Sequence, residues 1–188
     1  MSHDKIDGVL LKEMILAGAA MLQKNRAAID VLNVFPVPDG DTGTNMNMTM
    51  VSAVKELNTG QSTSIQEVGR ALAVGSLRGA RGNSGVILSQ LWRGFARGLE
   101  GHDEVGSADF AKAFSEGVKA AYKAVMRPKE GTMLTVARYS AAQAVENARR
   151  KVSVEQIMEA VVQSAEEILA KTPEMLPVLK QAGVVDSG

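Results

Sequence analysis

The chain of 188 residues has no cysteine. That excludes a disulfide framework, a thiol nucleophile and a thiolate zinc site. Histidine is almost as scarce: His3 lies in a polar N-terminus and His102 in a glycine-bearing loop, neither with sequence neighbours that would make it catalytic. Aromatic residues are 4% of the chain, and Lys plus Arg equals Asp plus Glu at 21 each. A nucleic-acid surface of basic groove and stacking rings is thereby excluded. No apolar run has the length of a membrane span, and residues 1–5 lack the charged and apolar parts of a signal peptide, so a cytoplasmic protein without a membrane span is expected.

Strand-like alternation is also missing, and an all-α fold is expected. At 45% hydrophobic the chain is long enough for one core, and no composition break divides it, so residues 1–188 read as one domain. Apolar residues recur at helical spacing: Ile6, Val9, Leu10, Met14, Ala17 and Met21 on a first helix, with a shorter piece over about residues 26–33. A methionine-rich helix follows through Met46, Met48, Met50, Val54 and Leu57, its methionines read as core filler. Capping-box patterns at Ser64-Ile65-Gln66-Glu67 and Ser153-Val154-Glu155-Gln156 start two further helices. Ser107 is expected to cap another, which Pro128 stops. Helices through 86–99 and 132–149, and a turn or two over 174–182, bring the number to about eight, an antiparallel bundle with short loops.

One stretch does not fit a bundle connection. In residues 33–46 two prolines, Pro36 and Pro38, hold the chain extended, and Asp39-Gly40-Asp41-Thr42-Gly43-Thr44-Asn45 then runs into a helix. Asp39 and Asp41 can present hard oxygen ligands to one Mg²⁺ or to a pair, while the free N–H groups of the helix start favour an anion. A metal-bound phosphate is the ligand this chemistry fits. A plain turn with Asp41 or Thr44 as N-cap uses the same residue types. An EF-hand is excluded, because Thr44 and Met50 fall where its glycine and bidentate glutamate belong.

A second glycine loop, Gly79-Ala80-Arg81-Gly82-Asn83-Ser84-Gly85, precedes another helix and reads either as a second anion site or as a cap by Asn83 or Ser84. Arg78 and Arg81 flank it, as added charge or as solvated surface residues. The P-loop pattern is absent. Because the chain has no basic surplus, a polyphosphate bound here would need metal ions to supply much of the neutralising charge.

Taken together, residues 33–46, residues 79–89, Gly131-Thr132-Met133-Leu134 and the closing Gly183-Val184-Val185-Asp186-Ser187-Gly188 resemble the N-terminal ATP-binding domain of the bacterial fatty-acid kinase family. That family is a branch of the ATP-binding L subunits of dihydroxyacetone kinase, called DhaL-like. The resemblance spans essentially the whole chain. It implies an eight-helix barrel with ATP bound at one end through one or two Mg²⁺ ions. On this likeness Asp39 and Asp41 hold metal, with Asn33 as a neutral oxygen ligand. Thr44 and Asn45 contact phosphate or the metal shell, Gly82, Asn83 and Ser84 cover the phosphates, Thr132 and Met133 form part of the nucleotide wall, and Asp186 closes the site near the nucleoside. Asp39, Asp41 and Ser84 are the candidate catalytic residues. The dihydroxyacetone-kinase form has a third aspartate where this chain has Val34, which puts a second metal in question.

The implied reaction moves the γ-phosphoryl group of ATP to the carboxylate of a fatty acid presented by a separate fatty-acid-binding carrier protein, giving an acyl phosphate. The competing readings are a kinase for a short polyol such as dihydroxyacetone, and a non-catalytic helical interaction module. The abrupt close at Gly188 leads to the expectation of a fragment of a longer protein, with any homodimer formed through regions beyond it.

Overall fold

A computed structural model describes residues 5–60 and 62–188; His3 lies outside the described residues. Its elements are β1 (Lys5–Asp7), α1 (Gly8–Val31), α2 (Thr42–Leu57), α3 (Ile65–Gly79), α4 (Gly82–Gly98), β2 (Glu104–Gly106), α5 (Ser107–Ala124), α6 (Met133–Arg149), α7 (Val154–Met175) and α8 (Pro177–Ala182). From α1 to α7 consecutive helices pack on one another, the pattern of short-looped antiparallel neighbours, and α2 also packs on α4. The expected all-α architecture of eight helices is therefore present among the described residues.

The core is built from Leu11 and Ile15 of α1, Met50, Ala53 and Leu57 of α2, Ile65, Val68 and Leu72 of α3, and the aromatic cluster of α4 and α5. Phe95 sits edge-on to Trp92, Phe110 and Phe114, with ring centroids 5.8, 5.7 and 5.5 Å away. This geometry places positive ring edges on negative ring faces. A smaller cluster of Ala111, Ala144, Ile157 and Val161 joins α5, α6 and α7.

Several local expectations are corrected. The first helix does not start at residue 5. Lys5–Asp7 pairs antiparallel with Glu104–Gly106, Ile6 opposite Val105, a ladder too short to show alternation in the sequence. Asp7 then caps α1 by accepting from the Leu10 N–H at 2.8 Å. No break separates a piece at 26–33: α1 is one continuous helix from Gly8 to Val31, along which the Asn25 side-chain amide donates to the Met21 carbonyl.

The expected face of α1 is also only partly right. Leu11 and Ile15 are buried while Val9 and Met21 are exposed. Of the α2 methionines, Met50 fills the core and accepts from Trp92 Nε1 at 3.2 Å, whereas Met48 is exposed.

Of the two capping boxes only Ser153 with Gln156 forms. Ser64 instead donates to Asp103, and Gln66 accepts from the Gly101 N–H, so both tie α3 to the loop before β2. Ser107 is the first helical residue of α5 and Gly106 its N-cap, and α5 ends at Ala124, four residues before Pro128.

Candidate functional site

In an antiparallel bundle of sequential neighbours the even-numbered helices begin at the same end. The N-terminal residues of α2, α4 and α6 meet there around a cleft of about 570 Å³. Three sets of helix N–H groups without intrahelical partners, each at the positive end of its dipole, therefore border one space. The last turn of α5 and the closing segment 186–188 complete its wall.

Residues 33–41 form the α2 side. Asn33 is buried and joins the loop to itself: its Nδ2 donates to the Val37 carbonyl at 3.0 Å and its Oδ1 accepts from the Asp41 N–H at 3.1 Å. The Phe35–Pro36 peptide is cis. Asp41 is the N-cap residue of α2, yet its side chain makes no capping hydrogen bond. That role falls to Asp30 of α1, which accepts from the Thr44 N–H at 2.9 Å and from the Thr44 hydroxyl at 2.7 Å. The Asp41 carboxylate is thus left facing the cleft with that of Asp39.

On the α4 side the helix starts at Gly82, earlier than the apolar periodicity indicates, with Arg81 as N-cap and no side-chain cap. Gly82 has φ +58, and a Cβ there would collide with the Asn45 amide. The requirement for glycine is therefore both conformational and steric. One turn on, a Cβ at Gly85 would overlap the Thr49 hydroxyl, so the two helix starts approach with no side chain between them. Ser84 Oγ lies 3.5 Å from the Thr42 carbonyl, at the outer limit of a hydrogen bond, and borders the cleft.

The α6 side is closed by the chain's last residues. The Asp186 N–H donates to the buried Thr172 hydroxyl at 3.0 Å, and the carboxyl accepts from the Gly188 and Met133 N–H groups. Asp186 thereby caps α6 from a distance. Burial pushes its pKa up to about 6, against those two hydrogen bonds. Ser187 donates to the Thr42 hydroxyl at 3.2 Å, tying the closing segment to α2.

Of the residues singled out from sequence, Asn33, Asp39, Asp41, Asn45, Gly82, Asn83, Ser84, Thr132, Met133 and Asp186 all line this cleft. Thr44 does not, because its hydroxyl is turned back onto Asp30. Arg78 pairs with Glu56 at 2.7 Å and Arg81 is exposed, and neither borders the cleft. His102 lies in the turn after α4, also outside it. Sequence reasoning missed Asp30, whose signal is faint: one acidic residue on a long helix, recognisable only once Thr44 lies beside it. It also missed Thr42, Arg127 and Lys129, which line the cleft.

The donor set fits a hard cation in chemical type. Two carboxylates with hydroxyl and amide oxygens near them suit Mg²⁺, which retains several water or phosphate ligands of its own. Among the described residues no three His, Cys, Asp or Glu side chains gather as a ready-made metal cage. No helix among the described residues is long and apolar enough to cross a membrane.

These features define, among the described residues, a helical domain with a cleft of about 570 Å³ lined by helix starts. A model of the DAK2 domain matches residues 36–188, and the chain belongs to that family. It is a dihydroxyacetone-kinase-like family of nucleotide-binding, kinase-related domains. Protein YloV of Bacillus subtilis (strain 168) is 54% identical over 188 residues, all of this chain and 34% of that protein. The uncharacterized proteins SAB1090 and SAUSA300_1119 of Staphylococcus aureus (strains bovine RF122 / ET3-1 and USA300) are 52% and 51% identical over 184 residues, 98% of this chain and 34% of each. The chain spans about a third of the length of these relatives.

Proposed function

We propose that this domain binds Mg-ATP in the cleft between the starts of α2, α4 and α6 and presents the γ-phosphoryl group to a carboxylate acceptor. One observation supports the reading above others: Asp41 occupies the N-cap position of α2 without capping it, and its carboxylate lines the cleft with that of Asp39. A bundle that needed only a turn there would use Asp41 as the cap; here Asp30 serves instead.

Phosphoryl transfer is mainly positioning and charge stabilisation. Asp39 and Asp41 would hold Mg²⁺, which supplies positive charge to the phosphate oxygens. Asn33 fixes the loop that carries both aspartates. The N–H groups at the starts of α2 and α4 offer hydrogen bonds to anionic oxygens, and Ser84 adds a hydroxyl donor between them. Gly82 keeps the α4 backbone open to close approach. Thr132, Met133 and Asp186 form the wall on the α6 side. Nothing in this arrangement needs a nucleophile from the protein, because the acceptor brings its own.

The likeness to the fatty-acid kinases supports a fatty acid as acceptor, delivered in the cytoplasm by a separate carrier protein, with acyl phosphate as the product. Dihydroxyacetone is the competing acceptor, and phosphorylation of carrier-bound fatty acid measured beside that of dihydroxyacetone separates them. The test of the site itself is calorimetric titration of ATP with and without Mg²⁺, on this chain and on Asp39→Asn with Asp41→Asn. Binding that needs Mg²⁺ and is lost in the double variant is expected. Metal-independent binding, or none by the folded chain, would overturn the reading.

A further inference from the structure

The cleft is bordered by three carboxylates, Asp39, Asp41 and Asp186, and its lining includes two cations, Arg127 and Lys129. Both stand on the α5–α6 connection, on either side of Pro128, which fixes its own φ and disfavours a helical conformation at Arg127. Neither has a carboxylate within salt-bridge distance among the described residues, whose five ion pairs involve other side chains. Two cations without a carboxylate partner beside a cleft rimmed by helix starts form an anion-binding arrangement.

The connection is also braced more heavily than an ordinary loop. Glu130, next to Lys129, accepts from the Thr135 hydroxyl at 2.7 Å, from Arg138 Nη2 at 2.8 Å and from the Tyr122 hydroxyl at 3.3 Å. Arg138 Nε donates in turn to the Tyr122 oxygen at 3.2 Å. Thr135 accepts from the Gly131 N–H at 2.9 Å, and Thr132 donates to the Lys129 carbonyl at 2.8 Å. Gly131 has φ +81 and lies against the end of α7, where a Cβ would meet the Thr172 carbonyl at 3.0 Å. The backbone that carries Lys129 is therefore tied to α5 and α6 and rests on α7.

We infer that the α5–α6 connection is the cationic wall of the phosphate site, with Arg127 and Lys129 contacting the β- and γ-phosphates of the bound nucleotide and Glu130 acting as the positioning residue that sets the connection through Tyr122, Thr135 and Arg138. This rests on the Mg-ATP reading and adds the protein's own share of the neutralising charge.

The test compares Mg-ATP and AMP affinities by calorimetry for the unaltered chain, Arg127→Ala with Lys129→Ala, Lys129→Arg and Glu130→Gln. A charge-assisted hydrogen bond to phosphate corresponds to about tenfold in affinity. The double variant, which removes two such contacts, is expected to bind Mg-ATP about a hundredfold more weakly, with AMP affinity unchanged and the melting temperature preserved. Lys129→Arg should retain near-normal binding. Glu130→Gln should weaken Mg-ATP, and should have no further effect once Arg127 and Lys129 are removed. Unchanged Mg-ATP affinity in the double variant, or an equal loss for AMP, would overturn the assignment while leaving the site reading in place. Failure of the unaltered chain to bind Mg-ATP would remove both.

Discussion

At the scale of single residues, Asp186 carries the most informative titration. Its carboxyl is buried and its pKa raised from the ordinary 3.8 to about 6, so the folded chain holds a proton in a pH range where the unfolded chain has lost it. Stability from this group is complete below about pH 4 and falls as pH rises through about 6, by roughly 2–3 kcal/mol for the full shift. Denaturant midpoints of the unaltered chain and Asp186→Asn, followed from pH 4 to 8, should converge or cross through that window and run parallel above pH 7. A difference independent of pH would contradict the assignment. The position was singled out through family likeness. That it anchors the start of α6 required the structure, since Met133 and Asp186 are 53 positions apart.

At the scale of elements, the site depends on how helices begin. α2 is capped by a residue of α1, so packing of α1 on α2 and presentation of the acidic pair are one event. Asp30→Ala should lower stability by about 1–2 kcal/mol, as loss of an N-cap does. It should also weaken Mg-ATP binding although Asp30 does not line the cleft, a combination that thermal melting and calorimetry on the same sample would check. Asp30→Asn keeps one acceptor oxygen and should fall between. The Asp39-Gly40-Asp41 loop, the glycine loop and the Ser153 box were legible in the sequence because each is short and uses residue types that few other conformations require. The Ser64 box was equally legible and does not form, because the Ser64 hydroxyl donates to Asp103, 39 residues away.

At the scale of the whole molecule, rigidity of the cleft depends on a core beneath it. Phe95 of α4 contacts three rings at once, and its helix starts at the glycine loop 13 residues earlier. Phe95→Ala should cost about 3–5 kcal/mol. For a chain of this length that is a fall in Tm on the order of 10 °C. A melt shifted by only a degree or two would show that the cluster does not carry the core. The neutral overall charge belongs to this scale as well: with 21 basic and 21 acidic residues, local placement of cations has to do what a basic surface does elsewhere.

The sequence by itself determined the helical class, the extended acidic loop, the glycine loop and the family, because period, turn chemistry and motif order are properties of neighbouring residues. Tertiary structure decided which helix starts meet, that Asp30 rather than Asp41 caps α2, that Asp186 caps α6, and that Arg127 and Lys129 rather than Arg78 and Arg81 line the cleft. Each of those depends on residues brought together by packing of the bundle, and no local pattern encodes which polar group will find which partner across it.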